Sequence, residues 1–268
     1  MLTHVTLGYN DRHRSEHFYR AVMPALGLKR VKQTEKFFAY ARSEDETPWI
    51  FLFQPFDGLP ATWGNGFHLA LLAKDENQVE TFHRQALAAG GIDEGGPGIR
   101  DRYADDYFGA YVRDPDGNKL QAVFYRKGRK AGPGGTTISH ITLGTHDLEA
   151  AVTFYEALMA PLGLARLPAE ESPGEDTAFG RAGTRMPILF IQYPFDGRPA
   201  SWGNGTHVSF EAPSRKAVDV FHAIALEQGG TSDGAPGLRP ELGPAYYAAY
   251  VRDKTGNKLQ AVCLTPAD

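Results

Sequence analysis

The sequence predicts an α+β fold made of two tandem copies of one unit, and three observations carry that expectation. The stretch YVRDPDGNKLQAV (111–123) returns as YVRDKTGNKLQAV (250–262), identical at eleven of thirteen positions. HVTLGYNDRHRSEHFYRAVMPALGL from His4 is matched by HITLGTHDLEAAVTFYEALMAPLGL from His140, and PFDGLPATWGNGFH (55–68) by PFDGRPASWGNGTH (194–207). Within each copy, strand-type alternation gives way to helical spacing and then resumes. The copies occupy residues 1–125 and 138–265. Between them RKGRKAGPGGTT (126–137) is basic, Gly-rich and without hydrophobic periodicity, the composition of a flexible linker.

The elements of the first copy follow in order. Residues 2–8 alternate as a strand. Asp11 is placed to cap a helix whose Phe18, Val22 and Leu26 recur at helical spacing until Gly27 stops it. Residues 37–42 and 48–54 are predicted strands, the second rich in aromatic and β-branched types, and a Pro- and Gly-rich loop follows. A strand over 67–73, a helix over 75–89 ended by Gly90 and Gly91, an irregular stretch, and strands over 106–113 and 119–125 complete the unit. The last two strands are joined by DPDGN, where Pro115 sets φ and Gly117 supplies the left-handed position. Each copy is thus itself a pair of strand-helix-strands modules.

Composition narrows the partner. The 28 basic and 32 acidic residues give a net charge of −4, which offers no field to concentrate nucleic acid or an anionic membrane. A small-molecule ligand is the expectation. A single cysteine, Cys263, excludes an internal disulfide and fits a reducing compartment. The N-terminus has no secretory-signal pattern and no apolar run approaches the ~18 residues that span a bilayer, so a soluble cytoplasmic protein is expected.

Alternate residues of a strand share a face, and that rule collects the polar residues. In THVTL the apolar Val5 and Leu7 are expected to pack on the helices, leaving His4 and Thr6 on the other face. In FHLAL, Leu69 and Leu71 pack while His68 points away; in KLQAVF, Leu120, Ala122 and Phe124 pack while Gln121 points away. The second copy repeats this with His140, His207 and Gln260. Two His and one further polar residue facing a shared hollow have the outline of a facial metal triad. The competing reading is that the imidazoles are core groups hydrogen-bonded to backbone or to Thr6 and Thr142.

These stretches, together with the closing VRDPDGN and VRDKTGN, resemble the vicinal oxygen chelate superfamily of glyoxalases, bleomycin-resistance proteins, fosfomycin-modifying enzymes and extradiol dioxygenases. The resemblance covers nearly the whole chain outside the linker. It implies two domains of paired βαβββ modules, each forming a curved mixed sheet with helices outside, the fused pair replacing the dimer that single-domain relatives form. Homodimerisation of the whole chain stays an alternative to that internal pseudo-dimer. It also implies a divalent metal on a His of the first strand, a His of the fifth and a Glu of the eighth. The matching positions are His4, His68 and Gln121, then His140, His207 and Gln260. Whether ligands come from one copy or are shared, as in His4 with His207 and Gln260, stays open.

The departure is Gln for Glu, twice. An amide oxygen offers a dipole where a carboxylate offers a full charge, and it takes no proton at neutral pH. Proton-moving chemistry of the glyoxalase kind therefore lacks its base, while Lewis-acid chemistry or oxygen activation is less impaired. Two functions follow as expectations: a metal-assisted lyase or dioxygenase acting on a small molecule, or a metal-free protein that sequesters a planar compound. The candidate ligand-binding residues are Trp63 and Trp202 as aromatic walls, Tyr107 and Tyr246 on the strand before the final turn, and Arg100 and Arg239 as clamps for an anionic group. The HRSEH run (His13, Glu16, His17) is expected to be a solvated helix face, and His83 and His222 to be helix-packing residues.

Overall fold

The computed structural model describes residues 1–268 except 45, 46, 48, 128–136, 169–175, 185, 186, 267 and 268. Most of the predicted linker therefore lies outside the described residues. The first copy runs β1 (Leu2–Gly8), α1 (Arg12–Val22), β2 (Lys29–Gln33), β3 (Phe37–Ala41), β4 (Trp49–Phe53), then β5 (His68–Leu72), α2 (Glu76–Ala88), β6 (Ile92–Ile99), β7 (Tyr107–Arg113), β8 (Lys119–Tyr125). The second repeats it as β9 (Ile138–Gly144), α3 (Leu148–Met159), β10 (Leu164–Arg166), β11 (Asp176–Arg181), β12 (Pro187–Gln192), β13 (His207–Glu211), α4 (Arg215–Glu227), β14 (Thr231–Leu238), β15 (Tyr247–Arg252), β16 (Lys258–Cys263). Each βαβββ module is present as expected.

Local chemistry sets these elements. Asp11, Asp75, Asp147 and Ser214 cap the four helices, each side chain accepting from a backbone N–H three residues on. The helix before Gly27 tightens into a 3-10 turn over Met23–Leu26 before Gly27 closes it at φ 73°. Two strands escape the sequence reading, β2 and β6. KRVKQ carries almost no apolar alternation, and IDEGGPGI is broken by Gly and Pro and pairs with register shifts at Asp93/Gly95 and Gly95/Gly98. Both are sheet-edge strands, where exposure and irregularity are tolerated because one side needs no partner.

The sheets do not follow the repeat boundaries. One has the order β14-β15-β16-β13-β1-β4-β3-β2 and the other β10-β11-β12-β9-β5-β8-β7-β6. Each eight-stranded sheet thus joins one module of the first copy to one module of the second. The seams are antiparallel: Thr6 opposes His207 on β1 and β13, and His68 opposes Thr142 on β5 and β9. The duplicated PFDGxPAxWGNG loops hold the crossing. Asn65 donates to the Ser201 hydroxyl, the Asp196 carboxylate and the Pro199 carbonyl; Asn204 donates to the Thr62 hydroxyl, Asp57 and the Pro60 carbonyl. Glycine is required at this crossing, since a Cβ on Gly66 would stand 2.5 Å from the Gly144 Cα.

On the helix-covered faces Val5, Leu7, Leu69, Leu71, Leu120 and Ala122 are fully buried, in one connected core with their second-copy counterparts Ile141, Leu143, Val208, Phe210, Leu259 and Ala261. The DPDGN turn ties that core to the first strand. The buried Asp114 carboxylate accepts from the Tyr19 hydroxyl at 2.7 Å and from the Asn118 amide at 2.8 Å, while Asn118 donates to the Gly8 carbonyl at 3.0 Å. Asp253, Tyr155, Asn257 and Gly144 repeat this link.

Candidate functional site

The seams bring the predicted polar residues together across copies. His4 Nε2 lies 3.1 Å from His207 Nε2 in one sheet, and His68 Nε2 lies 3.3 Å from His140 Nε2 in the other. Gln260 sits on β16 beside β13, opposite Ser209, and Gln121 on β8 opposite Ala70. The two groups are therefore His4, His207 and Gln260, and His140, His68 and Gln121. Strand pleating explains the convergence, because each His and Gln holds the parity opposite to the core residues around it.

The hydrogen-bond network fixes how His4 points its lone pair. Thr3 Oγ1 donates its single proton to Ser209 Oγ at 2.7 Å, so its contact with His4 Nδ1 at 3.1 Å is one that Thr3 accepts. The neutral ring then carries its proton on Nδ1 and turns the Nε2 lone pair to His207. Burial lowers the His4 pKa to about 4, and burial followed by the neighbouring imidazole lowers His68 and His207 well below the ordinary value. At neutral pH these three imidazoles are uncharged. The carboxamides of Gln121 and Gln260 oppose those shifts. Each amide donates to a phenol: Gln121 Nε2 to Tyr107 at 2.5 Å, and Gln260 Nε2 to Tyr246 and Tyr250, both at 2.9 Å. Their Oε1 atoms are buried without a hydrogen-bond partner.

The donor set fits a divalent cation, as a neutral one. His4 and His207 would hold such an ion through Nε2 atoms that stand 3.1 Å apart, close enough for neighbouring ligands of one cation. Both imidazoles are uncharged, Thr3 orients His4, and His207 would move its proton from Nε2 to Nδ1 to coordinate, with the Gln260 amide beside it. Charge is what the set lacks. Among the described residues there is no group of three or more His, Cys, Asp or Glu side chains able to hold a metal. On the far side, Phe51 and Phe190 present ring edges to His4 and His140 at centroid distances of 5.3 and 5.1 Å.

A cavity opens over each group. The one of about 710 Å³ over His68 is lined by Arg100, Arg102, Tyr103, Tyr111, Arg113 and Lys119, with Gln192 and Phe195 from the other copy. The one of about 560 Å³ over His207 is lined by Arg239, Tyr250, Arg252 and Lys258, with Phe53 and Phe56 from the other copy. Both volumes are those of small-molecule sites. The carboxylates present are engaged: Glu94 pairs with Arg113 at 2.7 Å and Lys119 at 3.0 Å, and Asp233 pairs with Arg252 and Lys258. Burial pushes Glu94 up, but Arg113 and Lys119 outweigh it and keep the group below its ordinary value, a poor base. Arg100 makes no ion pair among the described residues. Its Nη2 donates to the Gly96 carbonyl at 2.5 Å and its guanidinium carbon stands 5.8 Å from the Tyr111 ring centre. Arg239 is held likewise by the Ala235 carbonyl at 2.7 Å.

The other expected residues take different places. Tyr107 is buried in a small cluster with Ala70, Val123 and Tyr125, and Tyr246 receives the Gln260 amide. Trp63 and Trp202 stack on the Arg113 and Arg252 guanidiniums, 4.3 and 4.5 Å from the ring centres, over the Gly117 and Gly256 turns. Neither Trp lines either of the two cavities. His13 and His17 are exposed, while Glu16 pairs with Arg12. His83 and His222 bond to Asp93 at 3.0 Å and Ser232 at 2.8 Å, bracing helix to edge strand. Sequence reasoning passed over Tyr111, Tyr250, Lys119 and Lys258. Tyr111 shares the face of Tyr107 four residues along the same strand, so alternation contained the signal.

A family model described as the Glyoxalase/Bleomycin resistance protein/Dioxygenase superfamily matches residues 1–122 and 137–261. Glyoxalase I from Zea mays superposes with a TM-score of 0.70 at 20% identity, covering 98% of this chain and 92% of that one. A putative dioxygenase from Bacillus subtilis gives 0.65 at 16% identity, with 99% and 86% covered. At such identities the likeness is one of fold. An uncharacterized Pseudomonas aeruginosa protein is 29% identical over 126 residues, 46% of this chain and 86% of that protein.

Proposed function

Since the chain belongs to the glyoxalase, bleomycin-resistance protein and dioxygenase superfamily, we propose that it binds small anionic molecules in the two cavities cupped by its sheets, without needing a protein carboxylate as base. The observation that carries this reading is the guanidinium without an ion pair at each mouth, Arg100 and Arg239, pinned by backbone carbonyls and so preorganised to accept a carboxylate or phosphate. Below it, Tyr111 or Tyr250 offers a ring face, and Lys119 or Lys258 stands 5.3 or 5.0 Å from that ring's centre. The first cavity sets four cationic side chains against two carboxylates, Glu94 and Asp196. The neutral His68 imidazole that lines it can hydrogen-bond a ligand but carries no charge to repel an anion.

A second reading rests on the unpartnered Oε1 atoms of Gln121 and Gln260. His4, His207 and Gln260, and likewise His140, His68 and Gln121, would hold a divalent cation that supplies Lewis-acid polarisation of a ligand oxygen. This chain's own contribution would then be to orient the ligand through its Arg and Tyr and to keep the imidazoles neutral.

Calorimetric titration with benzoate, phthalate and inorganic phosphate tests the leading reading. Arg100→Ala with Arg239→Ala is expected to weaken binding of at least one of these about tenfold or more, the loss of one charge-assisted pair. Failure of all three to bind, or affinity unchanged in the double variant, overturns it.

A further inference from the structure

The two cavities are not copies of one another. On the sheet of His4 a ladder of five rings crosses β3, β4 and the following loop: Phe37, Trp49, Phe51, Phe53 and Phe56. Neighbouring centroids stand 4.8 Å apart for Phe37 and Phe53, 5.6 Å for Trp49 and Phe51, 5.9 Å for Phe51 and Phe53, and 5.4 Å for Phe53 and Phe56. The ladder lies on the ligand face, since Phe51 meets His4 while Phe53 and Phe56 line the cavity beside His207. The first four rings are partly exposed and Phe56 is 84% exposed, an aromatic surface the rest of the chain leaves open. In the other sheet the pair Asp176 and Gln192 takes the place of Phe37 and Phe53, and the repeat offset puts Ile188 in the place of Trp49. Only Phe51 and Phe56 keep their rings, as Phe190 and Phe195. There the Arg102 guanidinium stands 4.8 Å from the Phe195 ring centre, on the ring that remains at the mouth. The position matching Arg102 in the second copy is Glu241.

We infer that the two cavities have diverged in ligand class: the one formed by Phe53, Phe56, Tyr250 and Arg239 recognises a planar aromatic monoanion, and the one formed by Gln192, Arg100, Arg102 and Tyr111 does not. The inference rests on the anion reading above and adds the chemistry of the rest of the ligand. A flat fused ring can lie against Phe53 and Phe56 while its carboxylate reaches Arg239, and offset or edge-to-face contact with rings rewards that shape over an aliphatic one. In the other cavity Gln192 replaces the central ring, and four cations against two carboxylates favour a more polar and more highly charged ligand.

Titration with 2-naphthoate and with cyclohexanecarboxylate, which has the same charge and no flat ring, tests this. The expected result is one 2-naphthoate site per chain, preferred over cyclohexanecarboxylate by about fivefold to tenfold. Phe53→Gln should abolish that preference, and Gln192→Phe should create a second preferring site. Thermal melts of both variants establish that they remain folded. Two equal 2-naphthoate sites, no preference for the flat ring, or a preference retained in Phe53→Gln overturns the inference. Should benzoate, phthalate or phosphate still bind through Arg100 and Arg239 in that event, the anion reading survives alone.

Discussion

Replacing Gln121 and Gln260 together by Glu restores the charge that the histidine groups lack, and the consequence for metal affinity can be sized. Both side chains are fully buried, Gln121 beside His68 and Gln260 beside His207. A carboxylate about 4 Å or less from a divalent ion gains roughly 8 kcal/mol at an effective dielectric near 20, twice the figure for unit charges. Burying that carboxylate returns several kcal/mol of the gain. A net of about 1.4–3 kcal/mol remains, roughly tenfold to a hundredfold in affinity. Calorimetric titration with Zn²⁺ or Co²⁺ reads it directly, with two sites per chain expected and the ligand-field absorbance of Co²⁺ reporting the coordination geometry. In the metal-free double variant each new carboxylate should instead raise the pKa of its neighbouring imidazole, His68 or His207, which histidine resonances follow through a pH titration. Zn²⁺ and Co²⁺ affinities unchanged from wild type would refute the assignment of the two groups as latent metal triads.

Acid should weaken the fold through the same histidines. His4 stays neutral when folded down to about pH 4 but titrates near 6.5 when unfolded, so the unfolded chain binds the extra proton and stability falls as pH drops from 6.5 towards 4. The difference, 6.5 minus 4, corresponds to about 3 kcal/mol at 1.36 kcal/mol per unit, of which about 2 is lost by pH 5. Asp114 acts oppositely: burial raises it to about 6, so its contribution is present at low pH and is lost as pH rises through 6. Urea unfolding at pH 7.5 and pH 5 should therefore be compared between wild type and His4→Gln, the wild type losing about 2 kcal/mol more; equal losses would count against the neutral imidazole. Gly117 has φ 92°, and a Cβ there would stand 2.3 Å from Trp63 Cδ1. Gly117→Ala should cost about 2 kcal/mol or more in thermal or urea unfolding, with Trp63→Ala in the same chain recovering only the steric part because the backbone strain persists. Full recovery would mean the left-handed backbone costs nothing there.

Much of this molecule was legible in one dimension. The repeat, the alternation of strands with one helix in each module, the Asp11 cap and the parity of His4, His68, Gln121, His140, His207 and Gln260 are properties of short windows, and the physics that sets them, pleating and helical periodicity, acts over a few residues. The edge strands β2 and β6 were not legible because an edge needs neither alternation nor a complete ladder, which leaves Lys29–Gln33 and Ile92–Ile99 without the signal that marks inner strands.

Which imidazole meets which amide was decided only in three dimensions. The sequence offers His4 two equivalent partners, His68 and His207, in stretches almost identical to each other, and no local preference separates them. The pairing of β1 with β13, the close approach of Gly66 to Gly144 and the interlocked Asn65 and Asn204 loops make the choice across more than two hundred residues. The same crossing brings Phe53 of one copy and Arg239 of the other to the lining of one cavity, so each cavity draws its side chains from both copies. Nearest-neighbour chemistry writes the parts; the long-range seam, which no short window contains, writes their combination.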